Sequence, residues 1–206
     1  MSDFDKLHSE LEAHISSLEA KFIKPFLPSV NPLATPAEYE YDVKAYCVLS
    51  HAAIEEFFES VSLKVMSLSF DEWVYKKKNS DTLTALVCNY RLHIDVDTDE
   101  RNSEKKCFDY LRPVFEEAVK RHSNDVHKNH GASITYLRKL MIPVAVDVKD
   151  DIKLKNSLNQ LAKERGEYAH KQTIKKFLSP EDAKNYVDDC LSLCDDIRVK
   201  VNNMFI

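Results

Sequence analysis

Only two of the 206 residues are glycine, Gly131 and Gly166. A sheet protein reverses direction through tight turns, and many of those turns need a residue that accepts positive φ. An all-β fold, which needs a turn signal every ~8–12 residues, has little material here. Two isolated glycines also rule out a glycine-rich phosphate loop, and neither H-E-x-x-H nor G-x-S-x-G occurs. The chain is therefore expected to be all-α, with any chemistry supplied by side chains carried on helices.

The apolar periodicity supplies those helices. Phe4, Leu7, Leu11, Ile15, Leu18 and Phe22 recur at intervals of three and four, which makes one helix face. Pro25, Pro28, Pro32 and Pro36 follow and read as a semi-extended linker. Residues 37–68 form a long helix that is apolar on much of its circumference, so it is expected at the centre of a bundle. His51, Glu55, Glu56 and Glu59 interrupt it, and such a stripe is either a solvent face or the lining of a cleft.

Further along, Ser80 or Asp81 caps a helix over 82–94, and Ser103 caps one running to about 129, with Pro113 as a kink or restart. Gly131 suits a left-handed cap for that helix. Ser133 caps "ITYLRKLMI", which Pro143 stops, and a helix over about 150–165 follows. "SPED" (179–182) opens the last helix, with Ser179 at the cap and Pro180 at the first helical position. The expected architecture is an antiparallel helical bundle over 37–206, preceded by an additional N-terminal helix and Pro-rich linker over 1–36.

The net charge of −5 argues against a sequence-blind nucleic-acid coat, but it leaves room for a local basic site. Residues 149–176 hold eight Lys/Arg against four Asp/Glu. The five cysteines form no C-x-x-C pair, which fits reduced thiols. No signal-peptide core and no run of ~18 apolar residues is present, so a cytoplasmic protein without a membrane partner is expected.

Two constellations carry possible chemistry. His122, His127 and His130 cluster near a helix end, and on a helix 127 and 130 lie ~60° apart. No carboxylate or cysteine completes a ligand set locally, so no metal is expected there and a polar helix end is the plainer reading. The second is "LAKERGEYAHKQT" (161–173), where Arg165 and His170 flank Gly166. On an unbroken helix the two would face ~140° apart; a break at the glycine would let them converge. A fixed guanidinium beside a histidine that titrates near neutrality suits phosphodiester chemistry.

"LAKERGEYAHKQT" resembles the R-x4–6-H signature of the HEPN superfamily, small helical-bundle domains. "LSHAAIEEFFESV", "NHGASITYLRKLMIPVAV", "LNQLAKERGEYAHK" and a closing helix also follow the order seen in prokaryotic HEPN proteins of the RiboL-PSP type, over about 40–203. The resemblance implies an all-α homodimer that cleaves RNA without metal or cofactor, in antiphage, toxin–antitoxin or stress systems. A separately encoded antitoxin or defence partner belongs to that picture. Arg165 and His170 match the two signature positions and are the implied catalytic pair. Glu55, Glu167, Lys171 and Gln172 are candidate auxiliary or RNA-binding residues. Active members often carry Asn, Asp or His after the arginine, where this chain has Gly166. "RHSNDVH", with Arg121 and His127, matches the pattern more loosely. A non-catalytic dimerisation or partner-binding module on the same fold is the alternative.

Overall fold

The computed structural model describes residues 1–28, 38–95, 106–128, 131–170 and 178–205, with only the backbone of 168–170. These residues form seven α-helices and, among the described residues, no strand. They are α1 (Asp3–Phe22), α2 (Glu40–Lys76), α3 (Asp81–Asn89), α4 (Cys107–His127), α5 (Ile134–Met141), α6 (Ile152–His170) and α7 (Pro180–Met204).

The 37-residue α2 is the axis of the bundle. Its buried residues, from Val43 and Tyr46 through Phe58 and Val65 to Trp73, follow spacings of one, three and four. That wide stripe lets α2 pack against α1, α4, α5, α6 and α7 at once. Fully burying a side chain such as Phe58 or Ile54 contributes roughly 1.5–3 kcal/mol. The helix outlasts the expected residue 68 by two turns because Trp73 still has a core to fill. Its ring stacks on Phe108 at 4.3 Å and meets Phe115 edge-on at 4.7 Å, tying α4 to the far end of α2. Lys77, at φ 56, then turns the chain left-handed and ends the helix.

α1 lies across α2 and α7 of the same chain. Lys64 and Phe57 of α2 meet Asp3 and His8, while Lys184 and Arg198 of α7 meet Glu19 and Asp5, so α1 runs antiparallel to both. Lys153 and Ser157 of α6 both donate to Asp189 of α7. The expected caps at Ser80 and Ser179 form: each hydroxyl accepts a backbone N–H three residues on.

Three local expectations are corrected. α6 runs unbroken through Gly166 to His170. A helical glycine with no neighbour within 4 Å of a would-be Cβ is simply a weak helix former, and tertiary packing of α6 on α2 and α7 overrides it. α4 likewise continues through Pro113 without a restart. Gly131 does not cap α4, which already ends at Lys128; it sits at φ +128 just before α5, for a reason given below. The expected cap at Ser103 lies outside the described residues, where α4 opens instead with Asp109 accepting from the Lys106 N–H.

Candidate functional site

The polar stripe on α2 turns inward. His51 is buried at 1% exposure and Glu55 is half-buried one turn further on. Its Oε1 accepts the Gly131 N–H, and His51 Nε2 accepts the Ala132 N–H at 3.2 Å. Two side chains four residues apart on one helix thus hold two successive N–H groups of the segment entering α5. Only a residue free to adopt positive φ presents both donors this way, which is the reason for glycine at 131. A Cβ there would also touch the Tyr136 ring at 3.4 Å.

Because Nε2 accepts, the His51 proton sits on Nδ1. Nδ1 lies 3.7 Å from Glu55 Oε2, beyond hydrogen-bond reach, and has no hydrogen-bond partner among the described residues. Burial pushes the His51 pKa below the usual histidine range. The Glu55 carboxylate opposes that shift, and the positive charge of Arg165 on α6 adds to it. Arg165 therefore stands close enough to His51 to be felt electrostatically. It is half-buried and, among the described residues, makes no ion pair. Its neighbour Glu164 turns into the core instead, accepting from Gln160 at 2.6 Å.

The expected site residues are therefore partly assembled. Glu55 and Arg165 both act on His51, a member of the α2 stripe that the sequence alone leaves open between solvent face and cleft lining. Glu167 is half-buried on α6. The backbone of His170 continues α6, while its side chain and the whole of Lys171 and Gln172 lie outside the described residues. In the looser motif, Arg121 pairs with Glu117 at 2.8 Å and His127 is exposed.

Of the histidine cluster, His127 is exposed and His130 lies outside the described residues. His122, 1% exposed, joins a buried network instead of a helix end. Its Nε2 meets the Ser62 hydroxyl at 2.8 Å, and Ser62 donates to the Leu140 carbonyl at 2.8 Å. Its Nδ1 meets the Tyr90 hydroxyl at 3.3 Å, which donates to Asp125 at 2.8 Å. The signal was present in the sequence: Phe115, Ala118, His122 and Val126 fall on one face of α4, three of them apolar. Among the described residues, no group of three or more His, Cys, Asp or Glu side chains is placed to hold a metal. No helix among them is long and apolar enough to cross a membrane.

A long central helix, flanking antiparallel helices and an R-x4-H motif on the penultimate helix define an all-α HEPN-type domain. The model of the RiboL-PSP-HEPN family matches residues 2–203, and the chain belongs to that family. No curated protein and no solved structure gives a significant match to it.

Proposed function

We propose that this chain is a metal-independent endoribonuclease. It cuts RNA at a site composed from two copies of the chain, in antiphage defence or a toxin–antitoxin or stress system. Family membership supports a HEPN-type module. The observation that carries the step to catalysis is Arg165: a half-buried guanidinium with no ion pair among the described residues, beside a histidine that burial keeps neutral. A cation not neutralised by a carboxylate is available to an anion.

In the reaction, the ribose 2′-OH attacks its own phosphate. His170 moves the proton, Arg165 holds the charge that grows on phosphorus-bound oxygen, and the product ends in a 2′,3′-cyclic phosphate. DNA, lacking the 2′-OH, is not a substrate. Glu167, Lys171 and Gln172 flank the pair and orient RNA, and the basic excess over 149–176 gives the strand a local landing strip on an acidic protein. Glu55 acts one step back, by holding the Gly131 N–H next to the Ala132 N–H that His51 holds.

One observation favours the second reading, a non-catalytic dimerisation or partner-binding module. α6 is unbroken through Gly166, so positions 165 and 170 of one chain diverge by ~140° about its axis. A two-fold axis resolves that divergence if the arginine of one copy works with the histidine of the other.

The test follows from that geometry. Labelled single-stranded RNA is incubated in EDTA with the wild type, Arg165→Ala and His170→Ala. Each variant is expected to lose roughly 100-fold or more in cleavage rate. Mixing the two variants should restore about a quarter of wild-type activity, because half the dimers then carry one intact composite site. Cleavage undiminished in His170→Ala sinks the catalytic assignment, and no cleavage of any RNA by the wild type leaves the non-catalytic module.

A further inference from the structure

The buried His51 ring sits between opposed charges. Among the described residues two act on it: Glu55 on the same helix favours a second ring proton, and Arg165 on α6 opposes it. The segment entering α5 faces the ring with backbone alone, through the Ala132 N–H. With the ring neutral, the carboxylate and the guanidinium balance.

A phosphodiester held by Arg165 upsets that balance by one negative charge. Nothing among the described residues competes for the guanidinium, which makes no ion pair there. The carboxylate and the guanidinium are already ionised near neutral pH. Of the three groups only the imidazole can restore the balance, by taking one proton from solvent.

The geometry sets where that proton goes and what it displaces. The neutral ring carries its proton on Nδ1, and the single Nε2 lone pair accepts the Ala132 N–H at 3.2 Å. A second proton therefore enters at Nε2. An N–H cannot accept from another N–H, so the charged ring lets Ala132 go. The Nδ1–H, unpartnered among the described residues, lies 3.7 Å from Glu55 Oε2. A small turn of the ring closes that gap into a charge-assisted hydrogen bond. Glu55 keeps the Gly131 N–H through Oε1 throughout. The hold on the entry to α5 drops from two side-chain bonds to one.

We propose that His51 is a positioning residue that exchanges its hold on Ala132 for a bond to Glu55 when a phosphate-class anion occupies Arg165. This rests on the reading of Arg165 as the anion-holding residue and adds a regulatory consequence to it. Loading α6 with an anion takes up one proton inside the bundle and loosens the backbone before α5.

The experiment follows the His51 ring by NMR in protein with isotope-labelled histidine, its signal assigned by its loss in His51→Gln. The probe is a 2′-O-methyl oligoribonucleotide, which resists cleavage and whose phosphodiesters do not titrate near neutrality. Saturating probe is expected to raise the His51 titration midpoint of the wild type by about one pH unit, equivalent to binding about ten-fold tighter below the window than above it. Arg165→Gln alone should raise the midpoint by about half a unit or more, because the repelling charge is gone, and probe should then add nothing. In the loaded wild type the Ala132 amide should exchange faster with solvent. In His51→Gln, whose amide oxygen accepts the Ala132 N–H but takes no proton, that exchange should stay constant. Circular dichroism checks that both variants fold, and the wild-type comparison needs neither. A midpoint unmoved in Arg165→Gln overturns the proposal. Probe that binds without moving the midpoint or the Ala132 exchange overturns it and leaves the cleavage reading standing; probe that does not bind at all overturns both.

Discussion

His51 and His122 are equally buried, each 1% exposed, yet their surroundings differ. His122 has a hydroxyl at each ring nitrogen, from Ser62 and Tyr90, and so knits α2, α3, α4 and α5 together. Among the described residues His51 has one hydrogen bond, from Ala132; its Nδ1 lies 3.7 Å from Glu55, and the Arg165 charge acts on the ring. A well-partnered polar network specifies structure; an under-partnered group held in place by its neighbours is characteristic of a functional site. The comparison assigns His122 chiefly to the fold and His51 to the Arg165 corner.

Substitution should separate them first. His122→Ala is expected to lose about 3 kcal/mol in urea unfolding, through a cavity and stranded hydroxyls, while His51→Ala loses about 1–2 kcal/mol. Equal losses would erase the distinction. Acid should act along the same line. Burial pushes the His122 pKa from 6.5 down to about 4. Below pH 6.5 the unfolded ring takes a proton that the folded ring refuses until about pH 4. Its contribution is therefore complete above 6.5 and falls away towards 4, by about 3 kcal/mol. His122→Gln should flatten that slope, measured as unfolding midpoints across the window.

How much of this was legible in the sequence differs by element. The bundle was, because glycine scarcity and three-four periodicity are local signals that tertiary packing reinforces. Ser80 and Ser179 were legible as caps for the same reason. The His51–Glu55 clamp was only half legible: the pair stood out on α2, but solvent face and cleft lining give the same pattern, and the loop it grips lies 76 residues further along the chain. Gly166 misled in the other direction. A glycine between two charged stretches looks like a break, but α6 is held along its length by Leu154, Leu158 and Leu161 in the core, and one poor helix former does not undo that.

Smaller effects sharpen the picture at those two places. Glu55→Gln keeps an acceptor for the Gly131 N–H but removes the carboxylate that lifts the His51 pKa. Stability should fall by about 1 kcal/mol, and the His51 ring, followed by NMR, should titrate lower still. Gly166→Ala should stabilise the fold by about 0.5–1 kcal/mol in the same urea assay, since the site is helical and open. A loss of stability there would reinstate the break.

α5 has eight residues, fewer than the ~12–15 that an isolated helix needs to persist in water. α2 grips it at both ends: His51 and Glu55 take N–H groups just before it, and Ser62 takes the Leu140 carbonyl near its close. The eleven residues from His51 to Ser62 advance about 16 Å along α2 and return to within about 20° of the same side. This makes α2 a measuring rod whose graduations count residues, not chemistry. Between positions 51 and 62 such a chain can exchange its exposed side chains, Ala52 and Glu56, yet adding or dropping a single residue would swing one grip a quarter-turn away and leave one end of α5 without its hold on α2.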